Sequence, residues 1–364
     1  MTKPTAGKCA AIVAELQRRI HKKSWCSGDA LPTERRLAAE FGASQSTVKK
    51  ALDTLKREGL IRSHQGKGRF VAESATPART WTVAVIMSTL DHLHHPLHSR
   101  RLAGIQEALL ETSYHLTIHA ISPNSNRKVE GDSRYRWRGL IDPTAMDGAI
   151  VHSRHATVAE IAELADMLPI CVVHRQKVVP HCACVRPDFT GAGFDAAAHL
   201  MQLGHRDIAL VSVNDGDPIG EAQRQGVRLA ADKTGHGRTR ARFLEAAAFS
   251  IAEGRRIGTE IARMTSRPTA VIAGADELAE GIFHALRERD VVVPRDLSLI
   301  GWNDTLTEAD VPLPMTTVQR HPRLLGKVCV QELIQLIESP HSNPETKWIP
   351  MNLLVRESTG CPPP

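Results

Sequence analysis

The chain has 364 residues, 42% hydrophobic and 24% charged, with a formal net charge of +6. That length is long for one core and comfortable for two or three domains, and without a long apolar run it excludes a membrane-spanning helix. Charge is uneven: residues 1–75 hold 15 Lys and Arg against 7 Asp and Glu, a balance of +8, which leaves −2 for the remainder. The cationic footprint that a polyanion requires is therefore confined to the amino-terminal part. Seven scattered cysteines (Cys9, Cys26, Cys171, Cys182, Cys184, Cys329 and Cys361) read as reduced thiols, and Met1 to Gly7 lacks a signal-peptide core, so the expected location is cytoplasmic.

In chain order, Lys8 to Lys23 reads as a helix with Val13, Leu16 and Ile20 inward and Arg18, Arg19, Lys22 and Lys23 outward. Ser27-Gly28-Asp29 turns the chain, and Thr33 after Pro32 is a good N-cap for a second helix with Leu37, Ala38 and Phe41 facing in. Gly42-Ala43-Ser44 joins it to a third, in which Val48, Ala51, Leu52 and Leu55 share one face at i, i+3, i+4 and i+7. The opposite face carries Gln45, Ser46, Lys49, Lys50, Asp53, Lys56 and Arg57, a surface suited to phosphates and base edges. After Gly59 the period changes to that of two short strands, Leu60 to Ser63 and Arg69 to Val71, around Gln65-Gly66-Lys67-Gly68. Such a hairpin is a wing with Lys67 and Arg69 at its tip.

These residues resemble the winged helix-turn-helix of GntR-type transcriptional regulators, through LPTERRLA, TVKKALDTL and EGLI followed by QGKGRFV, over roughly Cys9 to Ala72. The resemblance implies DNA contacts at Arg35, Ser44, Gln45, Ser46, Thr47, Lys49, Gln65 and Gly66, to which the wing reading adds Lys67. Gln45 and Lys49 stand where arginine is frequent in the family, and glutamine favours adenine over guanine. The expected organisation is a DNA-binding domain over 1–75, a linker over 76–80 within the polar run Glu73 to Thr80, and a second unit over 81–364.

From Trp81 onward, short apolar runs alternate with helical patterns, as βα units around parallel sheets do. The runs are Val83 to Met87, His115 to Ala120, Gly148 to His152, Pro169 to Val173, Asp207 to Val213, Ala241 to Ala246, Ala270 to Gly274 and Leu297 to Trp302. So many strands predict two sheets, with a ligand beyond their carboxyl ends.

Five pieces of this region, HLMQLGHRDIALV, Ala273 to Leu286 with Asp276, Ala279 and Gly281, LSLIGWND, PMTTVQRHPRLLG and the terminal LLVRESTG, resemble the effector domain of LacI/GalR-type repressors, itself similar to periplasmic sugar-binding proteins. The resemblance implies two α/β subdomains that clamp a small molecule. It places His95, Arg175, Phe194, Arg224, Asp276 and Asn303 in the cleft, with Arg320 as a further candidate. An acid, arginine forks and an aromatic ring suit a polyhydroxylated ligand. The chain departs from the family pattern in His94-His95-Pro96, where Asn-Pro is usual, and in Asn303, where the first of two aspartates is usual.

The run Asp91 to His98 and the pair Cys182 and Cys184 lack structural-zinc spacing. Gly66-Lys67-Gly68 lacks the rest of a P-loop, and no triad can be picked out. The basic, aromatic stretch Ser125 to Gly139 reads as an outer surface. The fold expected is thus an α+β winged helix-turn-helix domain followed by an α/β periplasmic-binding-protein-like domain of two subdomains. The function expected is a non-enzymatic, cofactor-free and metal-free repressor, homodimeric on a palindromic DNA operator and released by a sugar-like effector. Corepression by ligand, and a second unit that only dimerises, are the alternatives.

Overall fold

The structure, a computed structural model, describes residues 5–21, 25–26, 28–57, 59–64, 68–72, 79–87, 94–120, 142–152, 157–173, 179, 181–213, 218–234, 239–339 and 344–363. Gln65, Gly66, Lys67, Arg175, the stretch Ser125 to Gly139 and most of the linker lie outside the described residues.

The amino-terminal unit packs α1 (Thr5–His21), α2 (Glu34–Glu40) and α3 (Gln45–Arg57) against a hairpin of β1 (Ile61–His64) and β2 (Gly68–Val71). Its core joins Ile12, Leu16 and Ile20 to Leu37, Val48, Ala51, Leu52 and Leu55. Val13, expected inside, is only partly buried, and Ile12 takes the core position on α1. The Thr33 hydroxyl caps α2, accepting from the Arg36 amide at 3.3 Å. In the hairpin Ile61 faces Val71 and His64 faces Gly68. The segment before α2 is stitched to it by Gly28 N to Val71 O (3.0 Å) and Leu31 N to Arg69 O (2.8 Å).

The chain then continues through β3 (Thr82–Met87), α4 (Pro96–Leu109), β4 (His115–Ala120), β5 (Gly148–His152), α5 (Val158–Ala165), β6 (Ile170–Val173) and β7 (Ala183–Pro187). After these come α6 (Phe189–Gln202), β8 (Asp207–Val213), α7 (Pro218–Thr234), β9 (Arg240–Ala246), α8 (Ile251–Arg263), β10 (Ala270–Ala273), α9 (Asp276–Arg287), β11 (Ser298–Asn303) and β12 (Thr316–Gln319). The last elements are α10 (Pro322–Glu338), β13 (Thr346–Ile349) and β14 (Asn352–Leu354).

Two sheets result. The first lobe is parallel in the order β13-β7-β6-β5-β3-β4, and the second has the order β14-β12-β11-β10-β8-β9 with only β14 antiparallel. Strands buried on both faces read as continuous apolar runs, as β3 and β8 do. The chain passes between lobes three times: after β7, after β12, and between β13 and β14.

Helices pair over the sheets through interlocked glycines. A Cβ on Gly104 of α4 would lie 2.1 Å from the Arg323 carbonyl oxygen, and one on Gly326 of α10 would lie 2.3 Å from that of Arg101. Only glycine allows backbones this close. Gly193 with Gly226, and Gly254 with Gly281, repeat the arrangement between α6 and α7 and between α8 and α9.

The Leu-Gly-His-Arg and Arg-Glu-Ser-Thr-Gly strings find a shared cause here. Buried His205 bonds Thr269 Oγ1 (2.9 Å), Ser298 Oγ (3.0 Å) and the Gly360 carbonyl (2.9 Å). Ser358 Oγ meanwhile donates to Leu299 O and accepts from Thr316 N at 2.8 Å. The terminal segment is thereby locked across the start of the second sheet.

Candidate DNA-reading face and ligand cleft

On the reader, α3 buries Val48, Ala51, Leu52 and Leu55 and leaves Gln45, Ser46, Lys49, Lys50, Lys56 and Arg57 exposed, with Arg35 exposed on α2. Ser44 opens α3: its hydroxyl accepts from Thr47 N at 3.2 Å and lies 2.9 Å from Ser46 Oγ. Thr47 corrects the expectation of a direct contact. It is 6% exposed with its hydroxyl 2.7 Å from that of Ser44, so it braces the turn rather than facing outward. Arg69 differs from the expected wing-tip cation as well, because it pairs with Glu34 (2.9 Å) and Asp53 (3.0 Å) and ties the hairpin to both helices.

Between the lobes the structure brings together His95, Asn303 and Arg320 from the expected set, and adds Glu277 and Phe189. His95 precedes α4 and caps it, its Nδ1 accepting from the Leu97 amide at 3.2 Å. The other ring nitrogen, Nε2, then carries the proton and donates to Glu277 Oε1 on α9 at 2.7 Å. Burial raises the Glu277 carboxyl, but the His95 hydrogen bond and the nearby Arg320 charge bring it below its usual value. Arg320 donates to Asn303 Oδ1 at 3.3 Å and stacks its guanidinium 5.1 Å from the Phe189 ring centre. Asn303, 6% exposed, sits at φ 117°, a left-handed backbone that asparagine tolerates better than most residues.

The remaining described candidates make other contacts. Phe194 is partly buried against the helix side of the second sheet, and Phe189 is the ring that meets a cation. Asp276, expected to face the ligand, is 1% exposed. One of its oxygens accepts from Trp302 N (2.8 Å), and the other accepts from Thr305 N and Thr305 Oγ1 (2.7 Å each). Its carboxyl is spent on holding the loop after β11, and burial pushes it up to about 6 against those hydrogen bonds.

Arg224 lies in α7, whose first turns pack against the carboxyl ends of β8 and β10. A Cβ on Gly220 would meet the Val213 carbonyl, and Gln223 donates to Gly274 O at 3.1 Å. The Arg224 side chain is 5% exposed, 3.7 Å from Glu221, and its Nη2 has no hydrogen-bond partner among the described residues. Gln223 Oε1 and Ser212 Oγ are likewise buried without one among the described residues. Orphaned donors and acceptors at strand ends are costly unless a polar ligand meets them. Glu277 and Phe189 were overlooked in the sequence. The signal for Phe189 was Asp188, an N-cap directly after a strand, whose carboxylate accepts from Gly191 N at 2.8 Å.

Comparison with known proteins agrees with both halves of this architecture. Residues 8–71 match the family described as bacterial regulatory proteins, gntR family, and residues 197–359 match a periplasmic binding protein-like domain. The arabinose metabolism transcriptional repressor of Geobacillus stearothermophilus is 28% identical over 93% of this chain and 93% of its own. Catabolite control protein A of Priestia megaterium is 25% identical over 86% and 90%. Among solved structures, a LacI family regulator from Enterococcus faecium with bound ribose aligns with a TM-score of 0.64 at 25% identity, over 77% of this chain and 98% of that one. A CelR–cellobiose complex aligns at 0.66 and 21% identity over 90% and 100%, which speaks for the fold. With the reader, the two lobes and these likenesses in view, the chain is a DNA-binding transcriptional regulator made of a GntR-family helix-turn-helix domain and a periplasmic-binding-protein-like domain of LacI-family fold.

Proposed function

We propose that this regulator is a repressor that leaves its operator when a small carbohydrate-like molecule closes the cleft. The observation that carries the reading is Arg224, a guanidinium buried at the ends of the second sheet with an orphaned nitrogen. It is supported by relatives named for arabinose and ribose operons and by neighbours holding ribose or cellobiose. In this reading Arg35, Ser44, Gln45, Ser46 and Lys49, with Gln65 to Lys67 of the wing, meet DNA. His95, Arg224, Asn303, Arg320 and Glu277 meet the effector. One recognition helix spans only a few base pairs, so a homodimer on a palindrome is the economical arrangement. Ligand acts by favouring one pose of the lobes over another, and the linker carries that difference to the readers.

Fluorescence anisotropy on a duplex from the chain's own promoter region tests this, with arabinose, ribose and cellobiose as trial effectors. Lys49→Ala is expected to weaken binding about tenfold or more, the value of a charge-assisted contact. Arg224→Met is expected to bind the duplex and lose the sugar response. Absence of salt-sensitive binding by the wild type would sink the proposal.

A further inference from the structure

The recognition helix carries one acid among its cations. Within α3 the charged residues are Lys49, Lys50, Asp53, Lys56 and Arg57. Asp53 stands one turn after Lys49 and two turns after Ser46 and Gln45, so it shares the stripe on which the DNA contacts are placed. Its side chain is 54% exposed. A bare carboxylate on that stripe repels the phosphates of an approaching duplex, whose charge supplies most of the attraction to the cations beside it.

Arg69 answers that charge. It lies on β2, two residues beyond Lys67, and its Nη2 donates to Asp53 Oδ1 at 3.0 Å and to Glu34 Oε1, at the start of α2, at 2.9 Å. Glu34 directly precedes Arg35, another of the residues placed against DNA. One guanidinium thus joins the base of the wing to the beginning of α2 and to the outer stripe of α3. The strand does not depend on this side chain. Leu31 N donates to Arg69 O at 2.8 Å, Val71 N donates to Asp29 O at 2.9 Å, and Ser63 pairs with Arg69 across the hairpin. Partly exposed ion pairs add little to stability, so the consequence of Arg69 lies in what the surface presents to a polyanion. We propose that Arg69 is a positioning residue for DNA reading. Without touching DNA, it screens Asp53 so that the Lys49 stripe can approach the phosphates, and it fixes the wing at one distance from that stripe. The inference rests on the amino-terminal unit being the DNA reader and is independent of the effector.

The test is a double-mutant cycle with the full chain, by fluorescence anisotropy at low salt on the promoter duplex and on a scrambled duplex of equal length. Arg69→Ala is expected to weaken binding about fivefold or more, and Asp53→Asn in that background to recover much of the loss, because neighbouring charges are non-additive. Asp53→Asn alone should change affinity far less than it does beside Arg69→Ala. Arg69→Lys keeps the charge but not the fork, and should fall between wild type and Arg69→Ala. Salt dependence separates the rival role, in which Arg69 bonds a phosphate. Removing such a contact lowers the slope of log affinity against log salt by about one, and no change at Asp53 restores it. Should Arg69→Ala fail to fold by circular dichroism, Arg69→Gln takes its place in the cycle. No loss of affinity, additive effects of the two substitutions, or a lowered slope that Asp53→Asn leaves uncorrected would each overturn the proposal. A wild-type chain that binds neither duplex overturns the reader and this inference with it.

Discussion

Asp276 shows how a single carboxyl can hold the loop around a site, through the amides of Trp302 and Thr305. Its raised value of about 6 lies above the roughly 3.9 of an aspartate in an unfolded chain. Between those values the folded form holds a proton that the unfolded form has lost, so its contribution to stability falls as pH rises from about 4 to about 6. His205 works in the opposite sense: burial lowers its pKa, so stability is lost as pH falls through the ordinary imidazole range. Asp276→Asn should therefore flatten the stability profile across the carboxyl window, by roughly 2 kcal/mol end to end. Urea midpoints at pH 4 to 7 for wild type and variant measure it, and parallel profiles would show that the carboxyl does not titrate there. The same residue marks a limit of legibility. An acid opening a helix after a strand looks alike in sequence whether it points at a ligand or back at its own loop, and here Trp302 and Thr305, 26 and 29 residues away, decide. Thr47 poses the same problem, since only folding turns it from its exposed neighbours Ser46 and Lys49 into the Ser44 turn.

At the scale of elements, the helix pairs depend on close backbone approach more than on bulk. Gly104→Ala places a methyl carbon 2.1 Å from a backbone oxygen of α10, and a backbone, unlike a flexible side chain, can yield only by moving the whole helix. We expect a loss of about 1–3 kcal/mol, read as a lowered thermal midpoint, whereas Gly68→Ala strains the hairpin only through its φ of +104° with open space around it. An unchanged midpoint for Gly104→Ala would show that α4 and α10 slide freely. Legibility varied with length and period. The reader was legible almost residue by residue, because the stripe Val48, Ala51, Leu52 and Leu55 and the stops at Gly42 and Gly59 are local signals. All eight apolar runs became strands. The strands β12, β13 and β14, of three or four residues, were not recognised, for their pairing comes from distant partners such as Cys184 opposite Thr346. Strand β7 was hidden in a run that drew attention for its cysteines.

Across the whole molecule the lobes are joined not only by covalent passages but by the bond from His95 to Glu277. In this geometry the His95 ring serves both lobes, Nδ1 accepting from the Leu97 amide and Nε2 meeting Glu277. His95→Ala removes the bridge and the cap together, while Glu277→Gln keeps an acceptor and removes the charge. Small-angle scattering without ligand should show a larger radius of gyration for His95→Ala than for wild type, with Glu277→Gln between them; identical curves would mean that the bond does not hold the clamp. His95 was legible in the sequence as a cleft residue, but its partner Glu277, 182 residues away, came to light only in three dimensions. A second consequence follows from the route of the backbone. Helix α10 and strand β13 complete the first sheet, yet they follow the whole of β8 to β12 in sequence. During synthesis on the ribosome the early lobe therefore emerges with the β7 edge unpaired and one face uncovered. It must remain so until residues 322–349 arrive, which exposes an open strand edge to unwanted pairing throughout the making of the second lobe.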